Sequence, residues 1–215
     1  MRVTDRELID DPIESLDELT ANFSDIEAAN RWLGGLAIVR STIPAGARSV
    51  LDVGSGSGDV ARALSRLGLQ VTCLDASAAV LEVARRRSAG WASLDFVCGD
   101  GTALPFPDRS FDVVMCNLAL HHFDPEPAVQ LLRELRRVAR LRPVLTDLRR
   151  SRLAWAGAWL FSRLVSRNRL TRHDAPLSAL RAYTPAEALE LAKMAGWRRP
   201  RVRAGAFFRM ALTDG

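Results

Sequence analysis

Ser49-Val-Leu-Asp-Val-Gly-Ser-Gly-Ser-Gly58 is the stretch on which the fold turns. Its first half is a short apolar run, and its second half alternates glycine with serine. That change predicts a strand ending in a tight turn before a helix. Gly54, Gly56 and Gly58 let the chain turn sharply and let a ligand lie against bare backbone. The helix that follows carries Val60, Leu64 and Leu67 on one stripe and closes at Gly68.

Outward from this stretch, strands and helices alternate. Gln70–Asp75 reads as a second strand, and Ser77 caps a helix bearing Val80, Leu81 and Ala84. Leu94–Cys98 and Phe111–Cys116 read as two more strands. Asp124-Pro125 opens a helix with Ala128, Leu131, Leu132, Leu135 and Val138 on one face, and Pro143–Asp147 follows as a fifth strand. Thr184-Pro185-Ala-Glu187 starts a helix with proline at its first position and glutamate three residues after the cap. Arg201 to Leu212 fits two closing strands. The pattern predicts an α/β, Rossmann-like, seven-stranded mostly parallel sheet with helices on both faces. Helices precede it, and a helical cap follows strand five. Residues 1–45 read as an N-terminal helical segment, with Ser24-Asp25-Ile26-Glu27 as its capping box. Residues 46–215 read as the ligand-binding domain, with the cap at about 150–183.

Composition narrows the function classes. The chain has 215 residues, 48% hydrophobic and 26% charged, which suits one globular domain with appendages. A formal charge of +5 raises nucleic acid as a partner, but the 30 basic residues include one lysine, Lys193, and the arginines are dispersed along the chain. Short clusters such as Arg85-Arg86-Arg87 fall at element ends and read as solvated faces. Asp10 and Asp11 precede any apolar segment, so no signal peptide is read, and the setting expected is cytoplasmic. Cys73, Cys98 and Cys116 lack metal spacing and read as buried reduced thiols, so no metal is expected.

In an open α/β sheet the ligand lies beyond the C-terminal strand ends. A dinucleotide loop needs a third glycine at position 59, where this chain has Asp59, and no phosphate-binding lysine is present. The loop therefore suits a ligand without phosphate. Asp75, at the end of the second strand, can accept both hydroxyls of a ribose, and Asp100 within Gly99-Asp100-Gly101 can accept from an adenine amino group. A phosphate-free nucleoside with an amino-acid tail near Asp52 and Gly54 describes S-adenosyl-L-methionine.

Val50–Gly58, Asp75, Cys98-Gly-Asp100, Leu104–Asp112 and Leu120-His-His-Phe-Asp124 together resemble class I S-adenosylmethionine-dependent methyltransferases. Within that class they are most similar to the ubiquinone/menaquinone-biosynthesis branch. The resemblance spans roughly residues 48–148. It implies that Asp52 and Gly54, Ser55, Gly56 and Gly58 wrap the methionine portion, and that Asp75 and Ala76 hold the ribose. Asp100 and Gly101 then meet the adenine, and Asn117 lines the methyl-donor end with His122 packed beside the cofactor. Relatives carry a Pro-Gly-Gly turn before strand five, whereas Arg140-Leu-Arg-Pro143 runs straight into it here and leaves the register of Asp147 open.

Methyl transfer mainly needs alignment, with a base where the nucleophile is a phenol or an acidic carbon. His121, His173 and Asp147 are the catalytic candidates, with His122 as a capping or packing residue. His173 lies in the polar stretch Ser166 to Ser178 and also reads as an exposed loop residue. Arg152 to Val165 is apolar around most of its circumference, so it packs in the core, covers an acceptor pocket, or meets an anionic membrane surface weakly. Asn30-Arg-Trp32 in the N-terminal helix reads either as closing over the cofactor or, the favoured reading, as carrying a plain packing Trp32. The favoured acceptor is a small apolar molecule, an aromatic or polyketide-like phenol methylated on oxygen. C-methylation of a quinone-type ring and a non-catalytic cofactor-binding subunit stand as alternatives. Asn117-Leu-Ala-Leu120 replaces the N-P-P-[YF] of amino-methylating nucleic-acid enzymes, which argues against that acceptor. Oligomeric state is not legible.

Overall fold

The computed structural model describes residues 2–11 and 15–215. Seven strands form one sheet in the order β3-β2-β1-β4-β5-β7-β6. They are β1 Ser49–Val53, β2 Gln70–Asp75, β3 Leu94–Cys98, β4 Phe111–Asn117, β5 Ala139–Leu148, β6 Pro200–Ala204 and β7 Arg209–Asp214. Strands β1 to β5 are parallel, and β7 runs antiparallel between β5 and β6. Strand order reverses between β1 and β4, where such sheets open a crevice for ligands. Asp52 on β1 sits there, in register with Cys73 on β2 and Met115 on β4.

Alternate residues of the central strands serve two cores. Leu51, Val114 and Leu145 pack under α5 (Pro125–Val138) and α8 (Pro185–Met194), whereas Val50, Val113 and Val144 face α3 (Asp59–Ser65) and the helix preceding β1. The apolar stripe of α5, from Ala128 to Val138, is fully buried as its spacing requires. Burying each of its leucines is worth about 1.5–3 kcal/mol. Without a glycine turn, α5 passes into β5 at Ala139. A register shift between Phe111 and Val113 absorbs the missing loop, leaving Asp147 opposite Met210 at the ligand end.

Before the sheet lie α1 (Leu16–Trp32) and α2 (Gly35–Arg40). The first begins nine residues earlier than the box at Ser24 predicts, because Ser15-Leu-Asp-Glu18 has the same spacing and Ser15 Oγ accepts from Glu18 N. Ser24 instead donates from mid-helix to Thr20 O. Two helices, α6 (Arg152–Val165) and α7 (Arg169–Arg181), lie between β5 and α8. The stretch read as polar loop at 166–178 is thus largely helical, with Pro176 inside α7.

Three further expectations change. Helix α3 stops at Ser65 and leaves Leu67 exposed. Cys98 is exposed because β3 is the sheet edge, while Cys73 and Cys116 are buried. Trp32 is 74% exposed, whereas Asn30 two residues before it is buried. Arginines thought to be solvated also take structural roles. Arg62 and Arg87 both donate to Glu27 Oε1, at 2.7 and 2.6 Å, which ties α1 to α3 and α4 (Ala78–Arg87).

Candidate active site

A cavity of about 750 Å³ opens over the ends of β1, β2, β4 and β5, between the sheet and the helices α1, α6 and α7. One end is the glycine loop. Gly54 has φ +69°, and a Cβ there would stand 2.9 Å from Ala119 Cβ, so no other residue fits without displacing the β4 loop. Gly56 N donates to Asp75 Oδ2 at 3.1 Å and Ser77 N to Asp75 Oδ1 at 3.0 Å. Asp75 is thereby fixed at the cavity wall, with a lone pair left on each oxygen for a diol. Burial raises its pKa above the usual carboxylate range.

Asp52 is the most strained charge of this end. It is 1% exposed, and neither carboxylate oxygen has a hydrogen-bond partner among the described residues. Burial, reinforced by the charges of Asp59 and Asp75, raises its pKa well above the usual value. Asp59 is itself raised by burial, although Asn30 donates to it at 2.9 Å. Three carboxylates around a bare loop call for a cationic ligand, and a sulfonium bearing an ammonium tail meets that demand. Ser57 Oγ steadies the loop by donating to Glu27 at 2.8 Å. Gly101 and Ala76 line the wall beside Asp75, and Gly101 has no room for a Cβ, which would stand 2.9 Å from Val53. Asp100 is at the rim, its carboxylate folded onto Thr102 N and Oγ, both at 2.8 Å. Ser55 is buried, and its hydroxyl oxygen has no hydrogen-bond partner among the described residues. Asn117 Oδ1 accepts from Thr146 Oγ at 2.7 Å, so its amide N–H groups are what it offers the cavity.

The other end is built around the turn Leu120–His122 after β4. Leu118, with φ +54°, holds left-handed backbone between Asn117 and this turn, a cost of about 1–2 kcal/mol for a branched side chain. His121 is 3% exposed, and its Nδ1 lies 2.8 Å from Asp147 Oδ1. Asp147 Oδ2 also accepts from His121 N, at 3.1 Å. Burial opposes charging of the ring, but the Asp147 and Glu7 carboxylates more than offset it and raise the His121 pKa. Burial likewise disfavours the charge on Asp147, and His121 overrides it to lower that pKa. His122 Nδ1 sits 2.7 Å from Asp10 Oδ1.

Glu7 and Asp10 reach this place from the N-terminal segment, which is docked by side chains on α7. Asp174 accepts from Leu8 N and Ile9 N at 2.8 and 3.1 Å, and Ser178 donates to Glu7 Oε2 at 2.8 Å. Arg181, buried, donates to His121 O, His122 O and Asp10 Oδ2. Arg209 opens β7 at the cavity wall with its guanidinium buried and no partner for Nε among the described residues. Burial lowers its pKa to about 10, although Asp147 and Asp59 favour the charge.

The structure therefore brings Asp52, the glycine loop, Asp75, Ala76, Asp100, Gly101, Asn117, His121 and His122 to one cavity, with Asp147 behind His121. It does not bring His173 there. That ring is half-exposed on the outer side of α7, its Nδ1 2.7 Å from Asp174. Glu7, Asp10, Asp174, Arg181 and Arg209 carry no local sequence signal, since each joins the site only through long-range packing. Helix α6 lends Ala154, Gly157, Ala158 and Phe161 to the wall but leaves Leu153, Trp155, Trp159, Leu160 and Leu164 exposed.

Comparison with known proteins agrees with this geometry. Residues 51–143 match the family model described as methyltransferase domain. Over this region the chain is similar to demethylmenaquinone and ubiquinone/menaquinone-biosynthesis methyltransferases. It is 36% identical over 113 residues to a demethylmenaquinone methyltransferase of Clavibacter sepedonicus, covering 52% of this chain and 46% of that one. It is 40% identical over 114 residues to a malonyl-[acyl-carrier protein] O-methyltransferase of Halorhodospira halophila, covering 52% and 37%. The chain thus spans about half the length, or less, of the curated relatives it matches. Two solved structures share the fold. A SAM-dependent methyltransferase from Aquifex aeolicus superposes with TM-score 0.68 at 17% identity, covering 94% of this chain and 98% of that one. Human N-acetylserotonin methyltransferase in complex with SAM gives 0.70 at 18%, covering 95% and 60%.

Proposed function

We propose that this chain methylates a small, largely apolar acceptor on oxygen, an aromatic or polyketide-like phenol, with S-adenosylmethionine as donor. The observation that carries the reading is the Asp147–His121–Glu7 array at the cavity end away from the glycine loop. When bound, the donor supplies an electrophilic methyl group on a sulfonium that leaves as a neutral thioether. Asp52, the loop from Gly54 to Gly58 and Asp75 would hold it, with Asn117 near the methyl. Asp147 fixes the ring of His121, whose Nε2 lies 3.7 Å from Glu7 Oε1. A phenol hydroxyl seated between these two atoms would lose its proton to them as its oxygen attacks. Arg209 adds a positive charge at the same wall, which favours the phenolate. Phe161, Phe207 and Phe208 supply apolar lining for an aromatic ring.

The names of the matched relatives favour a second reading, C-methylation of a quinone-type ring. The exposed apolar face of α6 suits an acceptor drawn from a membrane, with weak contact to an anionic surface in a cytoplasmic setting. Co-sedimentation with anionic vesicles should fall when Leu160 and Leu164 become serine, and unchanged binding would remove that contact. No helix among the described residues is long and apolar enough to cross a membrane. Incubation with methyl-labelled donor and a panel of phenols and quinones tests the main reading. Label on oxygen supports it and label on ring carbon selects the second. Tight donor binding with no label transferred would return the chain to a non-catalytic cofactor-binding role.

A further inference from the structure

We propose that Glu7, His121 and His122 form a binding site for one divalent transition-metal ion at the acceptor end of the cavity. One ligand atom from each lies within 4.8 Å of the others. His121 Nε2 is 3.7 Å from Glu7 Oε1, and His122 Nε2 is 3.9 Å from Glu7 Oε2. Both gaps are too wide for hydrogen bonds.

The opposite side of each ring explains what the gaps are for. His121 Nδ1 faces Asp147 at 2.8 Å and His122 Nδ1 faces Asp10 at 2.7 Å. A carboxylate only accepts, so each Nδ1 carries a proton, and a ring that holds no second proton presents a lone pair at Nε2. Two lone pairs then converge on a third carboxylate, that of Glu7, and nothing between them donates. Glu7 is 2% exposed, and its Oε1 has no hydrogen-bond partner among the described residues. Imidazoles backed by carboxylates in this way are the usual arrangement of metal-binding histidines.

Charge points the same way. Glu7, Asp10 and Asp147 bring three negative charges. Two guanidiniums oppose them: Arg181, 3.8 Å from Glu7 and 3.1 Å from Asp10, and Arg209, whose charge Asp147 favours. The cluster keeps a net negative charge, which a bound cation lowers. Filling both gaps with protons would instead put two imidazolium rings with centroids 4.4 Å apart. Two imidazoles and one carboxylate suit Zn²⁺, Fe²⁺ or Co²⁺ and leave positions open. Coordination at about 2.0–2.2 Å needs the three groups to close in by about an ångström, within the reach of side-chain rotation. The open positions face the cavity, where an acceptor hydroxyl can take one and pass its proton to solvent, with His121 and Glu7 then serving as ligands in place of their role as base. The site does not depend on which atom is methylated.

The test is Co²⁺ titrated into chelator-treated, tag-free protein, followed by visible d–d absorption and by bound metal per chain after dialysis. S-adenosylhomocysteine affinity is measured in parallel as a check that the cavity is formed. One Co²⁺ per chain is expected, lost in Glu7→Gln and His122→Asn. Asp10→Asn, which keeps all three ligands, should weaken binding about 10- to 100-fold while leaving S-adenosylhomocysteine affinity unchanged. Absence of stoichiometric Co²⁺ in the wild type would overturn the site. So would Co²⁺ binding that all three variants retain.

Discussion

Asp52 carries the sharpest prediction, because its substitution should move stability and cofactor affinity in opposite directions. Asp52→Asn keeps the shape of a side chain that is 1% exposed and whose two oxygens have no partner among the described residues. The amide stays polar but removes the charge, whose burial is the larger penalty, and Asp59 and Asp75 add like-charge repulsion to that penalty. Without cofactor, the variant should be more stable near neutral pH by about 1–3 kcal/mol. For a chain of this size that raises Tm by about 2–10 °C. The sign with pH follows from the raised pKa of Asp52. The folded protein holds this proton more tightly than the unfolded chain, whose carboxyl titrates near the ordinary value of 3.8. Wild-type stability therefore falls as pH rises from there through the raised value. The advantage of the variant is absent in acid and opens upward. Cofactor affinity should drop by a similar free energy, roughly 5- to 150-fold, since the cationic ligand loses its buried counter-charge. Urea unfolding at several pH values and calorimetric titration with S-adenosylmethionine measure both effects. A variant less stable than wild type near neutral pH, or one that binds the donor equally well, would refute the electrostatic account.

The other expectations concern single contacts. Asp75→Ala should weaken donor binding by about 1–3 kcal/mol through lost hydrogen bonds to the ribose; unchanged affinity by calorimetry would sink that assignment. Asp174→Ala removes the acceptor for Leu8 N and Ile9 N. It should cost about 1–2 kcal/mol of stability and increase protease cleavage near residue 10 while sparing donor affinity. A cleavage pattern like that of wild type would show that α7 does not dock this segment. Arg209→Met should stabilise the cofactor-free protein by about 1–3 kcal/mol, because it removes a buried guanidinium whose Nε has no partner among the described residues. The same change should raise KM for ionised acceptors more than for neutral ones; equal KM changes would detach Arg209 from the acceptor.

Local pattern alone determined the frame of this protein. The strand–glycine turn at residues 49–58, the stripe of α5 and the capping box at Thr184 depend on neighbours a few residues away, so chemistry and spacing suffice to read them. The same locality made Asp52, Gly54, Asp75 and Asn117 legible, since each ends a parallel strand and the topology gathers those ends. Where two local signals compete, as Ser15 and Ser24 do for the start of α1, spacing cannot choose. Packing decides, because Leu19 must be buried in the helix. His173 illustrates the converse: adjacency to Asp174 gave it a chemical look, yet helix α7 turns Asp174 inward and the ring outward. At the other end of the cavity the sequence offered His121 and Asp147, and tertiary structure alone supplied their partners. Glu7 meets His121 across more than one hundred residues, and Arg209 reaches the cavity because β7 runs antiparallel and starts at the ligand end. Such meetings are set by chain closure and burial, which no short stretch of sequence encodes.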